Sequence, residues 1–156
     1  MFGFLKRKTR EIKSPVDGQI VTLESVNDEV FSTKMAGDGV AIIPMSNVFT
    51  APIDGIVTKI FSTNHAFSIK STKDLEVMVH IGLDTVALGG KGFERIANEG
   101  DSVKAGDAII RVDFAYVREH GKDIVTPIII LDESDVKSID KHFSVVKNQD
   151  VIMEVN

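Results

Sequence analysis

The stretch Thr63-Asn64-His65-Ala66-Phe67-Ser68-Ile69-Lys70-Ser71-Thr72-Lys73-Asp74-Leu75-Glu76-Val77-Met78-Val79-His80-Ile81 reads as two short strands around a polar turn. Val, Ile, Phe and Thr favour a pleated backbone, and Ser71-Thr72-Lys73-Asp74 has the composition and length of a four-residue hairpin loop. If Lys70 and Leu75 close that loop, Ile69 faces Glu76, Phe67 faces Met78 and His65 faces His80. Directly opposed residues hold their Cβ atoms about 4.5–5.5 Å apart, so both imidazoles project from one face. Leu75, Val77, Val79 and Ile81 alternate onto the other face as an aliphatic stripe for the core. The histidine face then carries Phe61, Thr63, His65 and Phe67 beside Met78 and His80. A slip of one residue would undo this arrangement, because side chains alternate with a period of two.

Outward from the hairpin, the pattern repeats. Gln19–Leu23, Gly39–Ile43, Ile56–Phe61, Ala108–Val112 and Val125–Leu131 are rich in Val, Ile and Thr, and Gly, Asp or Pro bound most of them. Many short strands at such spacing predict an all-β chain, an antiparallel β-sandwich or barrel-sandwich hybrid. Two stretches read as short peripheral helical turns: Phe93–Asn98, closed by Gly100, and Phe114–His120, with Asp113 as N-cap and Gly121 as stop. The 156 residues suit one domain, which we place at 14–156 behind a flexible basic tip at 1–13. Ser14-Pro15-Val16-Asp17-Gly18 recurs 37 residues later as Ala51-Pro52-Ile53-Asp54-Gly55, each time ahead of an apolar strand. Pro-x-Asp-Gly is also a common turn, so duplication and coincidence both fit.

Charge narrows the function. With 18 Lys plus Arg against 23 Asp plus Glu, the net charge of −5 argues against a nucleic-acid surface. No cysteine is present, which excludes disulfides, thiolate metal sites and a cysteine nucleophile. At the start, Met1-Phe2-Gly3-Phe4-Leu5 precedes Lys6-Arg7-Lys8, the reverse order of a secretory signal, and a cytoplasmic chain is expected. Residues 1–8 are expected to give at most weak contact with an anionic membrane surface. A monomer suits a shuttle that shows one face to successive partners.

The histidines at 65 and 80 differ from those at 120 and 142, whose Lys and acidic neighbours mark solvated surface. Two adjacent neutral imidazoles permit phosphoryl transfer: one ring nitrogen attacks phosphorus, and the other ring donates to the oxygens where charge builds up. Thr63, two residues before His65, can bond that ring's second nitrogen, and a carbonyl near Gly82 can do so for His80. Zinc is another chemistry open to the pair. Two imidazoles fill half of a tetrahedral shell, and no His-x-His or His-Glu-x-x-His supplies the rest, so no metal is required and no cofactor is expected. Neither a Gly-x-x-x-x-Gly-Lys-Ser/Thr loop nor a Gly-x-Gly-x-x-Gly fingerprint is present for a nucleotide. From spacing alone, two core histidines placed together by chance fit as well.

Gly37-Asp38-Gly39-Val40-Ala41-Ile42, Ala51-Pro52-Ile53-Asp54-Gly55, Thr63–Ile69, Val79-His80-Ile81-Gly82-Leu83-Asp84-Thr85-Val86 and Gly92-Phe93-Glu94-Arg95-Ile96-Ala97 carry a resemblance over nearly all of the chain from Ser14 onward. Taken together they resemble the glucose-type enzyme IIA of the bacterial phosphoenolpyruvate-dependent sugar phosphotransferase system. The resemblance implies a β-sandwich with a shallow active-site depression. It implies that His80 accepts a phosphoryl group from phosphohistidine on the carrier HPr and passes it to a cysteine on the IIB domain of a sugar permease. His65 would support the transfer, with Thr63 in its hydrogen-bond network. It further implies docking through Asp28 and Asp84, which would meet arginines of HPr, and through apolar Val30, Phe31, Phe61 and Val86. Met78 stands where an aromatic is common and Glu29 where an aliphatic residue is expected. Regulation of other enzymes or transporters is compatible with the same surface. Competing readings are a lipoyl-type carrier, whose lysine context is absent here, a zinc peptidase, weakened by the missing His-x-His, and a pure regulator, which need take up no phosphate.

Overall fold

The computed structural model describes residues 9–133 and 135–156. In chain order the elements are β1 (Arg10–Lys13), β2 (Gly18–Thr22), α1 (Glu29–Ser32), β3 (Gly39–Pro44), β4 (Val48–Thr50), β5 (Gly55–Ile60), β6 (Ala66–Lys70) and β7 (Glu76–His80). They continue as β8 (Phe93–Arg95), β9 (Ser102–Val103), β10 (Ala108–Val112), α2 (Phe114–Glu119), β11 (Thr126–Ile130), β12 (Ile139–Lys141), β13 (Val145–Val146) and β14 (Val151–Val155). Single 3-10 turns cover Leu23–Ser25 and Thr85–Leu88. An eight-stranded sheet runs β13-β2-β3-β11-β7-β6-β5-β9, and two three-stranded sheets run β1-β14-β12 and β4-β10-β8. Neighbours pair antiparallel throughout, which is the expected sandwich.

The β6–β7 hairpin positions everything that follows. Val77, Val79, Ile81, Phe67 and Ile69 enter the main core, which draws on all three sheets through residues such as Met153 and Ile110. Full burial of each such side chain contributes roughly 1.5–3 kcal/mol. Met78 points the other way, into a second cluster with Leu23, Val26, Phe31, Ala41, Leu83, Val125 and Ile129. The large sheet thus has apolar packing on both faces, and α1 is held over the outer one by buried Phe31.

The hairpin register differs by one residue from the expected one. Ala66 pairs with His80, Phe67 with Val79, Ser68 with Met78 and Lys70 with Glu76. The loop takes five residues because Leu75, 2% exposed, belongs to the main core and closes on Ser71 N–H through its carbonyl. Asp74 adopts a left-handed φ of 55° to let it do so. Phe67 is therefore a core residue, not part of the histidine face.

The two Pro-x-Asp-Gly segments prove to be structural counterparts. Ser14 N–H donates to Asp150 O and Ala51 N–H to Asp107 O, while Gln149 N–H donates to Ser14 O and Gly106 N–H to Ala51 O. Asp17 accepts from Asn148 N–H at 2.7 Å, and Asp54 from Ala105 N–H at 2.8 Å. The copies also bond each other reciprocally, Lys13 N–H to Pro52 O and Thr50 N–H to Pro15 O. A local two-fold relation follows, with each turn clamping a matching Lys-x-x-Asp turn.

Two further expectations shift and one holds. Phe93–Arg95 is strand β8, paired with β10, where a helical turn was expected; partly polar, it is set by its neighbour and not by its own period. Helix α2 keeps its Asp113 cap, whose carboxylate accepts from Tyr116 N–H, and Gly121 ends it at φ 73°. The folded unit begins by Arg10 and not at Ser14, since β1 pairs with β14 and Ile12 is fully buried. Residues 1–8, to which the membrane contact was assigned, lie outside the described residues. Among the described residues no helix is long and apolar enough to cross a membrane.

Candidate functional site

Two turns and one strand end build the site. A bulge at Thr58 inserts one residue between the pairs Val57–Ile69 and Lys59–Ser68, after which Ile60 faces the core and Phe61 turns to the outer face. Bulges next to functional sites commonly re-aim a side chain in this way. Phe61 N–H then bonds Ala66 O, and Asn64, at a left-handed φ of 60°, folds Ser62–His65 into a tight loop. Arg95 from β8 pins that loop through Asn64 Oδ1 at 3.0 Å and Phe61 O at 3.4 Å.

His65 is thus the last loop residue and not a strand residue. In a regular ladder the observed register would send its ring away from His80. Because the chain curls before Ala66, the ring instead folds back over the strand end. The two imidazole centroids lie 4.9 Å apart, edge to face at 80°. Phe61 packs against His65 at 5.2 Å and Phe31 against His80 at 4.9 Å.

Hydrogen bonds orient both rings. Thr63 Oγ1 is 2.5 Å from His65 Nδ1. His80 Nδ1 is 2.8 Å from the Gly82 carbonyl oxygen, which only accepts, so the proton sits on Nδ1 and the lone pair on Nε2. His65 is 3% exposed, and this burial, helped by the neighbouring His80, pulls its pKa down to about 4. Burial also lowers the pKa of half-buried His80, against opposing pulls from the Gly82 carbonyl and the Asp28 carboxylate. Both rings are therefore neutral at pH 7.

The remaining candidates fall around this pair. Met78, 9% exposed, lies beneath it in the outer-face cluster together with Phe31. Asp28 caps α1 by accepting from Val30 N–H at 2.9 Å, and Val30 stands 46% exposed on that helix. Val86 is 53% exposed on the 3-10 turn that follows His80. Asp84, at the start of that turn, is held by Lys122 Nζ at 2.7 Å. Sequence reasoning missed Lys122 and Arg95, since lone cations distant in the chain carry no local signal. The left-handed Asn64 was open to reading, because Asn tolerates that conformation better than most residues. Among the described residues no group of three or more His, Cys, Asp or Glu side chains could hold a metal ion.

The arrangement is chemically specific: an imidazole whose Nε2 lone pair is left free lies 4.9 Å from a buried neutral imidazole, with Phe31 and Phe61 packed against the two rings. Comparison with known proteins identifies the family. The family model described as phosphoenolpyruvate-dependent sugar phosphotransferase system, EIIA 1, matches residues 10–136. The glucose-specific EIIA component of Haemophilus influenzae is 44% identical over 98% of this chain and 94% of its own length. That of Borreliella burgdorferi is 43% identical over 93% of this chain and 77% of its own. The solved glucose permease IIA from Mycoplasma capricolum superposes with a TM-score of 0.92 at 39% identity, covering 97% of this chain and 99% of that one. Sequence and architecture converge, and the chain belongs to the EIIA 1 family of the phosphoenolpyruvate-dependent sugar phosphotransferase system.

Proposed function

We propose that this chain is a cytoplasmic phosphohistidine carrier in which His80 accepts a phosphoryl group from phospho-HPr and gives it to the IIB domain of a sugar permease. In the first step the Nε2 lone pair of His80 bonds to phosphorus as the phosphorus–nitrogen bond to the donor histidine breaks, its electron pair returning to the donor ring. In the second a cysteine thiolate of IIB bonds to phosphorus and the electron pair returns to His80 Nε2. The proton on Nδ1 stays with the Gly82 carbonyl through both steps. No metal or organic cofactor enters this route.

His65 supports the transfer through a hydrogen bond from its Nε2–H to a phosphoryl oxygen. Donation from the Thr63 hydroxyl to His65 Nδ1 holds the ring in the tautomer that can do this. A neutral donor in a water-poor site stabilises developing charge without needing to reorganise. Asp28 and Asp84 receive cationic groups of the donor protein, and Val30, Phe61 and Val86 supply the apolar contact, with buried Phe31 and Met78 packed beneath them, a division of labour usual at transient interfaces.

One observation carries the reading: the 2.8 Å contact from His80 Nδ1 to a carbonyl leaves Nε2 as the nucleophile beside a second, buried imidazole. Incubation with phosphoenolpyruvate, enzyme I and HPr, followed by mass mapping and nitrogen-15 NMR, tests it. One acid-labile phosphate on Nε2 of His80 is the expected result. No uptake, or label on another residue, overturns it.

A further inference from the structure

Asp84 opens the 3-10 turn Thr85–Leu88, yet its side chain makes no cap to that turn. Asp28 and Asp113 behave differently, each spending a carboxylate oxygen on a backbone N–H of its own helix. The Asp84 side chain, 69% exposed, meets Lys122 Nζ at 2.7 Å instead, and that lysine side chain is only 24% exposed. Lys122 belongs to the segment after α2, which packs on the loop after His80: Leu83 N–H donates to Asp123 O at 3.0 Å. The carboxylate thus stands four residues beyond the phosphoryl-accepting histidine with a cation of the same chain already on it.

We propose that Lys122 is a specificity-determining residue: it occupies Asp84 in the free protein and must be displaced by the cationic group of a partner docking over His80. The inference rests on the proposed docking of a basic partner at this face. An exposed ion pair is weak and salt-screened, so displacement is feasible. An arginine grips a carboxylate through two parallel N–H bonds, whereas lysine offers a point charge, so a partner presenting arginine wins the exchange. A partner with a single lysine there gains nothing over the resident one. Until displaced, the Lys122 ammonium also repels the approaching cation and slows encounter.

Binding of HPr to the full chain carrying Lys122→Gln, Lys122→Arg or Asp84→Asn, and to the Lys122→Gln/Asp84→Asn double variant, tests this by calorimetry and stopped flow at two salt concentrations. Thermal melts check that each variant is folded. Lys122→Gln is expected to bind about three- to tenfold tighter at low salt, mostly through a faster on-rate, with the gain shrinking at high salt. Lys122→Arg brings no gain, and the gain disappears in the Asp84→Asn background. Unchanged or weaker binding by Lys122→Gln, or a gain that persists without the Asp84 charge, overturns the inference. Failure of the wild-type chain to take phosphate from phospho-HPr removes the proposed function and this inference with it. Normal labelling with no gain in Lys122→Gln removes this inference alone.

Discussion

His80 and Gly82 are joined by a contact of 2.8 Å between Nδ1 and the carbonyl oxygen, so the backbone two residues downstream selects the ring's tautomer. Gly82 has a φ of 76°, and a Cβ there would come within 2.6 Å of Thr85 Cγ2 and 2.8 Å of Asp123 O. Gly82→Ala should therefore move the carbonyl, lower stability by about 1–3 kcal/mol and slow phosphorylation of His80. Melting curves and a phosphotransfer time course check both effects. Wild-type rates in the variant would show that the contact does not matter for transfer.

Replacement of the two histidines separates their roles. His80→Ala should take up no phosphate, because no other lone pair occupies its place. His65→Gln keeps the nucleophile and should still be labelled in part, while onward transfer to IIB falls about 10²–10³-fold, the usual loss for a transition-state hydrogen-bond donor. Single-turnover transfer from isolated phosphoprotein measures the second step alone. Normal labelling of both variants would show the assignment of roles to be wrong.

Burial of His65 also links stability to pH. Its folded pKa, near 4, lies below the unfolded value of 6.5, so between these limits the unfolded chain binds more protons. Stability is then full above about pH 6.5 and is lost as pH falls toward 4, by about 3 kcal/mol from this group. His80, lowered for the same first cause, adds in the same direction. Urea titrations from pH 4 to 7.5 should show this slope, flattened in His65→Gln. An equal slope in both proteins would rule out His65 as its source.

How much of this was legible follows from where the information lies. The β10 strand and the α2 caps are local signals, and alternation in β7 separated Val77 and Val79 from Met78 and His80 as found. The hairpin register was lost by one residue because Leu75 looks like a strand residue yet closes the loop, drawn there by the core. His65 still meets His80 through a left-handed Asn64 and a bulge at Thr58, neither of which alternation can encode. Helix α1 spans only Glu29–Ser32, too short for any period. The clamps on Asp17 and Asp54 come from residues 148 and 105, so the local two-fold relation depends on contacts far apart in the chain.

Thr63 offers the last test, since its hydroxyl lies 2.5 Å from His65 Nδ1 and donation from it leaves the His65 proton on Nε2. Thr63→Val keeps shape but removes the hydroxyl, so a buried ring nitrogen loses its partner at a cost of about 1–3 kcal/mol. The two His65 tautomers then become closer in energy, and only one of them can donate to the phosphoryl group. Onward transfer should fall roughly tenfold, in keeping with a lost hydrogen bond worth about 1.4 kcal/mol, while uptake by His80 changes less. Thr63→Ser restores the hydroxyl and should recover the rate, which a purely packing role for the methyl group would not. Nitrogen-15 shifts of the His65 ring report the tautomer directly. Retention of the Nε2–H form and of full transfer in Thr63→Val would remove Thr63 from the mechanism.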